Sequence, residues 1–155
     1  MEFLIWLRST EAATAIRESE SVWGYPTILF LHTFGMAILV GLISAIDLRL
    51  LGVGRQLPLA PMQRLFPLLW VGFSINVVTG SILFAIDGPK MIQNPAFPIK
   101  LTLIALGMVI LLAGQRKVFR RPDRGVDRIL AVVSLVVWAG AVTAGRFMAY
   151  VGKQE

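Results

Sequence analysis

The chain has a single histidine, and it falls within Pro26–Ile46, a run with almost no charge. An imidazole in such a place can ligate a metal, exchange a proton, or hydrogen-bond a backbone carbonyl. Met36 follows His32 by one helical turn on the same face, and imidazole with thioether is a donor pair suited to Cu(I). Three other apolar runs carry polar groups of their own: Asn76 and Thr79 in the second, Lys100 in the third, Arg146 in the fourth. Counting roughly 1.5 Å per residue from the ends of the runs places His32, Thr79, Lys100 and Arg146 roughly 6–10 Å below one common surface. Asp87 lies just above them. Charged and polar side chains at that depth are costly in hydrocarbon and ordinarily face a bundle interior or water. Four segments contributing at one level is the pattern of a shared site.

Each of these residues also has a plainer reading. Lys100 and Arg146 can snorkel to the interface, and Arg146 can pair with Asp87. Asn76 and Thr79 can serve as contacts between helices, and the methionines can fill core gaps. Asp47 and Arg49, at the other end, read as solvated or paired with loop charges. His32 separates the readings best, because its short side chain cannot reach headgroups from that depth.

The elements that must position these residues are membrane spans. The chain has 155 residues, of which 56% are hydrophobic and 15% charged, where globular proteins carry roughly a quarter charged residues. The runs about 26–46, 65–86, 96–115 and 129–150 each approach the ~20 residues that cross ~30 Å of hydrocarbon as a helix. The predicted fold is an all-α membrane bundle of four helices running up, down, up and down. Residues 1–155 form one integral domain with no soluble part. A short amphipathic interfacial helix over about 3–19 precedes it, with Trp6, Ala13 and Ile16 on one face. Glu2 and the brief apolar run Phe3–Leu7 do not match a cleaved leader.

Punctuation along the chain supports these limits. Trp23-Gly24-Tyr25-Pro26 sets interfacial aromatics before a first-turn proline. Gly52–Pro61 reads as a loop, Asp87-Gly88-Pro89-Lys90 as a turn, and Asn94-Pro95 as a cap and first-turn proline. Pro122 stops any helix that runs on from the third span. Ala37, Gly41 and Ala45 form a ridge for close helix approach in span one, as do Gly140/Ala144 and Ala141/Gly145 in span four. The stripe Gly72, Asn76, Thr79, Gly80, Leu83 and Asp87 should turn toward protein in span two.

Charge sets the topology. The formal net charge is +6. Arg49, Arg55, Arg64 and then Arg116, Lys117, Arg120, Arg121, Arg124 and Arg128 lie between spans with only Asp47, Asp123 and Asp127 among them, so these stretches hold all of it. Both fall on one side, which the positive-inside rule makes cytoplasmic, with both termini outside. The basic balance is therefore a topology signal and implies no nucleic acid. Without cysteine, disulfides and thiolate metal sites are excluded. No nucleophile elbow, phosphate loop or paired zinc histidines occur, so no catalytic residues are assigned.

Several motifs together resemble a family of small four-span bacterial inner-membrane proteins of unknown function. They are Ala15-Ile16-Arg17-Glu18-Ser19 with Tyr25-Pro26 and His32, Asp47-Leu48-Arg49-Leu50-Leu51-Gly52, Thr79-Gly80-Ser81-Ile82-Leu83-Phe84, Asn94-Pro95-Ala96-Phe97-Pro98-Ile99-Lys100 and Gly145-Arg146-Phe147-Met148-Ala149-Tyr150. More distantly, the chain is similar to CopD-type copper-resistance membrane proteins and to small b-type cytochrome bundles. The resemblance implies the inner membrane and a haem or copper cofactor.

Three functional readings follow. In the first, His32 ligates a b-type haem for electron transfer. Lys100 and Arg146 sit near its propionates, Asn76 and Thr79 line the wall, and Met148, Met36 or a second copy completes the ligation. In the second, His32 and Met36 bind Cu(I). In the third, the polar group receives a small anion or a quinone head group, or it orients helices in a structural subunit. The partners expected are the lipid bilayer and a homo-oligomer or larger membrane complex. For the topology, single cysteines at Ser19 and within the Arg121–Arg124 loop should react with an impermeant reagent from opposite sides; labelling from one side refutes it.

Overall fold

In the computed structural model the described residues are 2–18, 23–54, 56–58, 60–118 and 124–151. Their regular elements are all helical: α1 (Glu2–Arg8), α2 (Glu11–Glu18), α3 (Tyr25–Leu51), a 3₁₀ turn (Ala60–Leu65), α4 (Phe66–Gln93), α5 (Ala96–Val118) and α6 (Arg124–Val151). Among the described residues four helices, α3 to α6, are long and apolar enough to cross a membrane. They hold 27, 28, 23 and 28 residues, which at ~1.5 Å each gives roughly 35–42 Å, longer than the hydrocarbon they traverse. Phe30, Val78, Val109 and Val136 are exposed on them. A solvent of lipid explains an apolar exterior that water would not tolerate. The chain is an integral membrane protein.

The start of α3 is fixed by Pro26 in its first turn, where the missing N–H has no helical partner to lose. Gly52 ends it with φ at 104°, a conformation that glycine reaches without penalty. The N–H groups of Gly52 and Val53 close back onto the carbonyls of Arg49 and Leu48, a left-handed cap of the kind that terminates many helices. At the start of α5, Asn94 Oδ1 accepts from the Ala96 N–H at 3.0 Å, as the sequence predicts. The Asp87–Lys90 turn does not form. α4 runs on to Gln93 with a kink at Asp87 (φ −128°, ψ 21°) and Pro89 inside it. Proline removes one helical hydrogen bond and crowds the preceding turn, which bends the helix. The chain reverses at Asn94-Pro95 instead. Residues 119–123, including the predicted break at Pro122, lie outside the described residues.

α3 packs on α4, α5 on α6, and α3 on α6. α4 and α5 touch at few places, among them the rings of Phe84 and Phe97, stacked with centroids 5.6 Å apart. Leu39, Ile43, Leu69, Leu111 and Trp138 form the core. The N-terminal segment is helical but breaks at Ser9-Thr10 into α1 and α2, both packed on α4. Ala13 is buried there and Ile16 half-buried, while Trp6 is exposed.

The ridge Ala37–Gly41–Ala45 does not meet another helix. All three residues are exposed, and a Cβ at Gly41 would find no atom within 4 Å. The close crossing falls at Gly35 and Gly72 instead. A Cβ on Gly35 would come within 2.8 Å of Ile75 Cγ2 and 3.0 Å of the Gly72 carbonyl oxygen, and one on Gly72 within 3.0 Å of the Gly35 oxygen. The face that turns inward carries Gly35, Leu39, Ile43 and Ile46, and the alanine–glycine ridge lies beside it. The span-four pairs do meet a partner: Gly140 sits against Leu103 and Gly145 against Lys100. Accordingly, Gly35→Leu should cost about 1–3 kcal/mol or more of stability through overpacking, while Gly41→Leu stays within about 0.5 kcal/mol. Thermal unfolding in detergent distinguishes them, and equal melting temperatures would contradict the assigned crossing.

Candidate functional site

Side chains on a helix lean toward its N-terminus. α3 and α4 are antiparallel, so His32 leans toward the Tyr25 end of the bundle while Thr79 leans the opposite way, and the two meet. His32 Nδ1 lies 2.9 Å from Thr79 Oγ1. The Thr79 hydroxyl is itself 2.6 Å from the Ile75 carbonyl oxygen, one turn back on α4. A hydroxyl has one proton to give. The carbonyl is the nearer acceptor for it; with the proton there, the threonine oxygen accepts and Nδ1–H of His32 donates. The neutral ring then keeps its lone pair on Nε2. Gly80 makes the close approach possible: a Cβ there would stand 3.3 Å from His32 Cε1, tighter than an ordinary contact.

Lys100 is half-buried on α5, and its Cδ, Cε and Nζ run along α6 at Gly145, 3.5–3.6 Å from where a Cβ would be. Its ammonium lies within electrostatic reach of the His32 imidazole. Of the predicted residues, His32 and Thr79 are joined directly between α3 and α4, and Lys100 of α5 is seated on Gly145 of α6 within electrostatic reach of the imidazole.

The others are placed differently. Asn76 Nδ2 donates to the Gly72 carbonyl at 3.0 Å beside the Gly35 crossing, so it serves the helix contact. Arg146 is exposed on α6 next to Gly145. Asp87 stands at the kink within electrostatic reach of Tyr25, and no ion pair joins it to Arg146. Met36 and Met148 are half-buried. Among the described residues no three His, Asp or Glu side chains gather as a metal site would require, which leaves His32 as the strongest single donor.

A second polar group sits near the other end of the bundle. Asp47 is 6% exposed and Ser134 3%, and the serine hydroxyl bonds to the carboxylate. Asp47 is thus buried and not solvated, and its partner among the described residues is Ser134; the side chains of the loop bases Arg55, Arg116 and Lys117 lie outside the described residues. The position of Asp47 on the Leu39–Ile43–Ile46 face of α3 is a periodicity signal that its charged neighbour Arg49 obscures.

The Thr79 contact is open to direct test. Thr102 makes the same backbone bond on α5, to Pro98 at 2.9 Å, but is exposed and has no histidine beside it. Thr79→Val should cost about 1–3 kcal/mol, since it strands the Nδ1–H, while Thr102→Val stays within about 0.5 kcal/mol. Equal losses on thermal unfolding would show that the imidazole takes nothing from Thr79. Comparison with known protein families, characterised proteins and solved structures finds no match to this chain.

Proposed function

We propose that this protein is a membrane-embedded cofactor carrier in which His32 is an axial ligand to a b-type haem near the periplasmic face. One observation carries the reading: the imidazole is oriented through Nδ1–H to Thr79, so its bare Nε2 is the ligating atom. Metal-bound histidines characteristically donate their second ring N–H to a fixed acceptor, which sets tautomer and orientation together.

Lys100 favours one of the metal readings over the other. A bare cuprous ion at Nε2 would stand near the Lys100 ammonium, which weighs against a His32–Met36 copper site. Haem brings two propionates, and a half-buried ammonium is a counter-ion for one of them. Arg146, adjacent to the glycine that seats Lys100 and exposed to the headgroup region, is placed for the other. Haem supplies one-electron redox chemistry at its iron when bound.

Met148 from α6, Met36 on α3, or His32 of a second copy would supply the second ligand to the iron. The sparse contact between α4 and α5 gives a flat, lipid-soluble group a way in from the bilayer.

The same residues favour a quinone or small anion as the second reading, with Lys100 donating to a carbonyl or carboxylate oxygen and His32 Nε2 accepting a proton. Purified from haem-replete bacterial cells, the protein should show a Soret band that shifts on reduction. His32→Ala abolishes that band, and Lys100→Gln retains ligation but releases cofactor several-fold more readily. A colourless protein with bound copper would establish the metal alternative. A colourless protein that is stabilised by a quinone only when Lys100 is present would establish the second reading.

A further inference from the structure

The Asp47 pocket is independent of the haem reading and lies at the opposite end of the bundle. A cavity of about 40 Å³ opens between α3, the start of α4, α5 and α6. Asp47 and Ser134 supply its polar wall, and Ile46, Phe66, Ile110, Leu111 and Leu130 supply apolar walls. Ser134 bonds one carboxylate oxygen of Asp47. The other, Oδ2, is buried and has no hydrogen-bond partner. A buried oxygen of this kind is expensive to leave unsatisfied, and this one borders a space sized for roughly one water molecule.

We propose that the Asp47–Ser134 pocket binds one proton and one water molecule, forming a proton-accepting site near the Leu51 end of the bundle. A metal cation is the other species that could neutralise a buried carboxylate, but hard cations take about six oxygen ligands or more. The pocket offers one carboxylate, one hydroxyl and apolar carbon, while the neighbouring helical carbonyls are engaged in their own helices. An arginine or lysine partner would serve equally well, so the charged groups on each packed element matter. On α3, Arg49 donates through Nε to the Leu57 carbonyl. On α6, Asp127 is buried one turn before Ala131, and Arg128 is exposed. Arg64, in the 3₁₀ turn before Phe66, is exposed as well. Among the described side chains of α5, none at this level is ionisable.

The step is a simple transfer. A hydronium ion gives its proton to Oδ2, leaving a neutral carboxylic acid and a water. The acid O–H then donates to that water, and the Ser134 hydroxyl continues to donate to Oδ1. Asp47 lies four residues, about 6 Å, from the end of α3, so exchange with the adjoining aqueous side requires no long path.

Infrared difference spectra of the full chain in lipid, acid minus alkaline, provide the test. The expected result is a carboxylic-acid C=O band that shifts in D₂O, disappears in Asp47→Asn and moves to higher frequency in Ser134→Ala. Because Ser134→Ala keeps the carboxyl group, it carries the test even if Asp47→Asn fails to fold. A band that is unchanged in either variant, or no band at all, overturns the proposal. Stabilisation of the wild type by sodium over choline, lost in Asp47→Asn, would overturn it in favour of a cation site.

Discussion

The approach of α3 to α4 at Gly35 and Gly72 is the constraint on which the rest depends. Each glycine lies against the other helix's backbone, at a distance that would leave no room for even one methyl group. In lipid, helices are not driven together by excluding water from apolar surface, so close packing and polar contacts must hold them. Bringing the backbones this near puts Asn76 over the crossing, bonded to the Gly72 carbonyl. It also brings Thr79 and Gly80 under the ring of His32. A wider crossing would leave the imidazole with no acceptor and free to rotate. The orientation of the one histidine is thus a consequence of two glycines, one within a turn of His32 on α3 and one about two turns from Thr79 on α4.

Much of this was legible in the sequence, for identifiable reasons. Spans announce themselves because a bilayer demands long uncharged runs, and the stripe Gly72–Thr79–Leu83 is written at helical spacing on one face. What the sequence could not supply was the partner of each face. Two faces of α3 could turn inward, the small-residue ridge Ala37–Gly41–Ala45 and the face of larger residues that carries Gly35, and helical spacing allows either. Only Leu39, Ile43 and Ile46, packing beside Gly35, decide which one turns inward. Asp47 was misread on similar grounds. Near a helix end, next to Arg49, a carboxylate looks solvated, and its burial depends on Ser134 of α6, which no local pattern pairs with it. Depth counting set His32 and Thr79 at one level, where they meet, because it needs only rise per residue. It could not place Arg146, whose exposure depends on rotation about the axis of α6.

The two polar groups occupy opposite ends of a bundle whose middle is leucine, isoleucine and tryptophan. At one end a neutral imidazole with a free lone pair sits near an ammonium. At the other a carboxyl with a free oxygen faces a water-sized cavity. Both are groups that hydrocarbon would reject unless they were satisfied by protein or by something bound. The proposed haem would take the free lone pair of His32, and the proposed proton the free oxygen of Asp47.

The central claim is that Thr79 fixes the tautomer of His32 and leaves Nε2 bare. Because the chain has one histidine, nitrogen-15 NMR of protein labelled only in histidine reports that ring alone. In cofactor-free protein in detergent at neutral pH, the account predicts a protonated Nδ1 and an unprotonated Nε2. A ring protonated at Nε2, with Nδ1 accepting from the threonine hydroxyl, would contradict it and remove the ligating atom on which the proposed function rests.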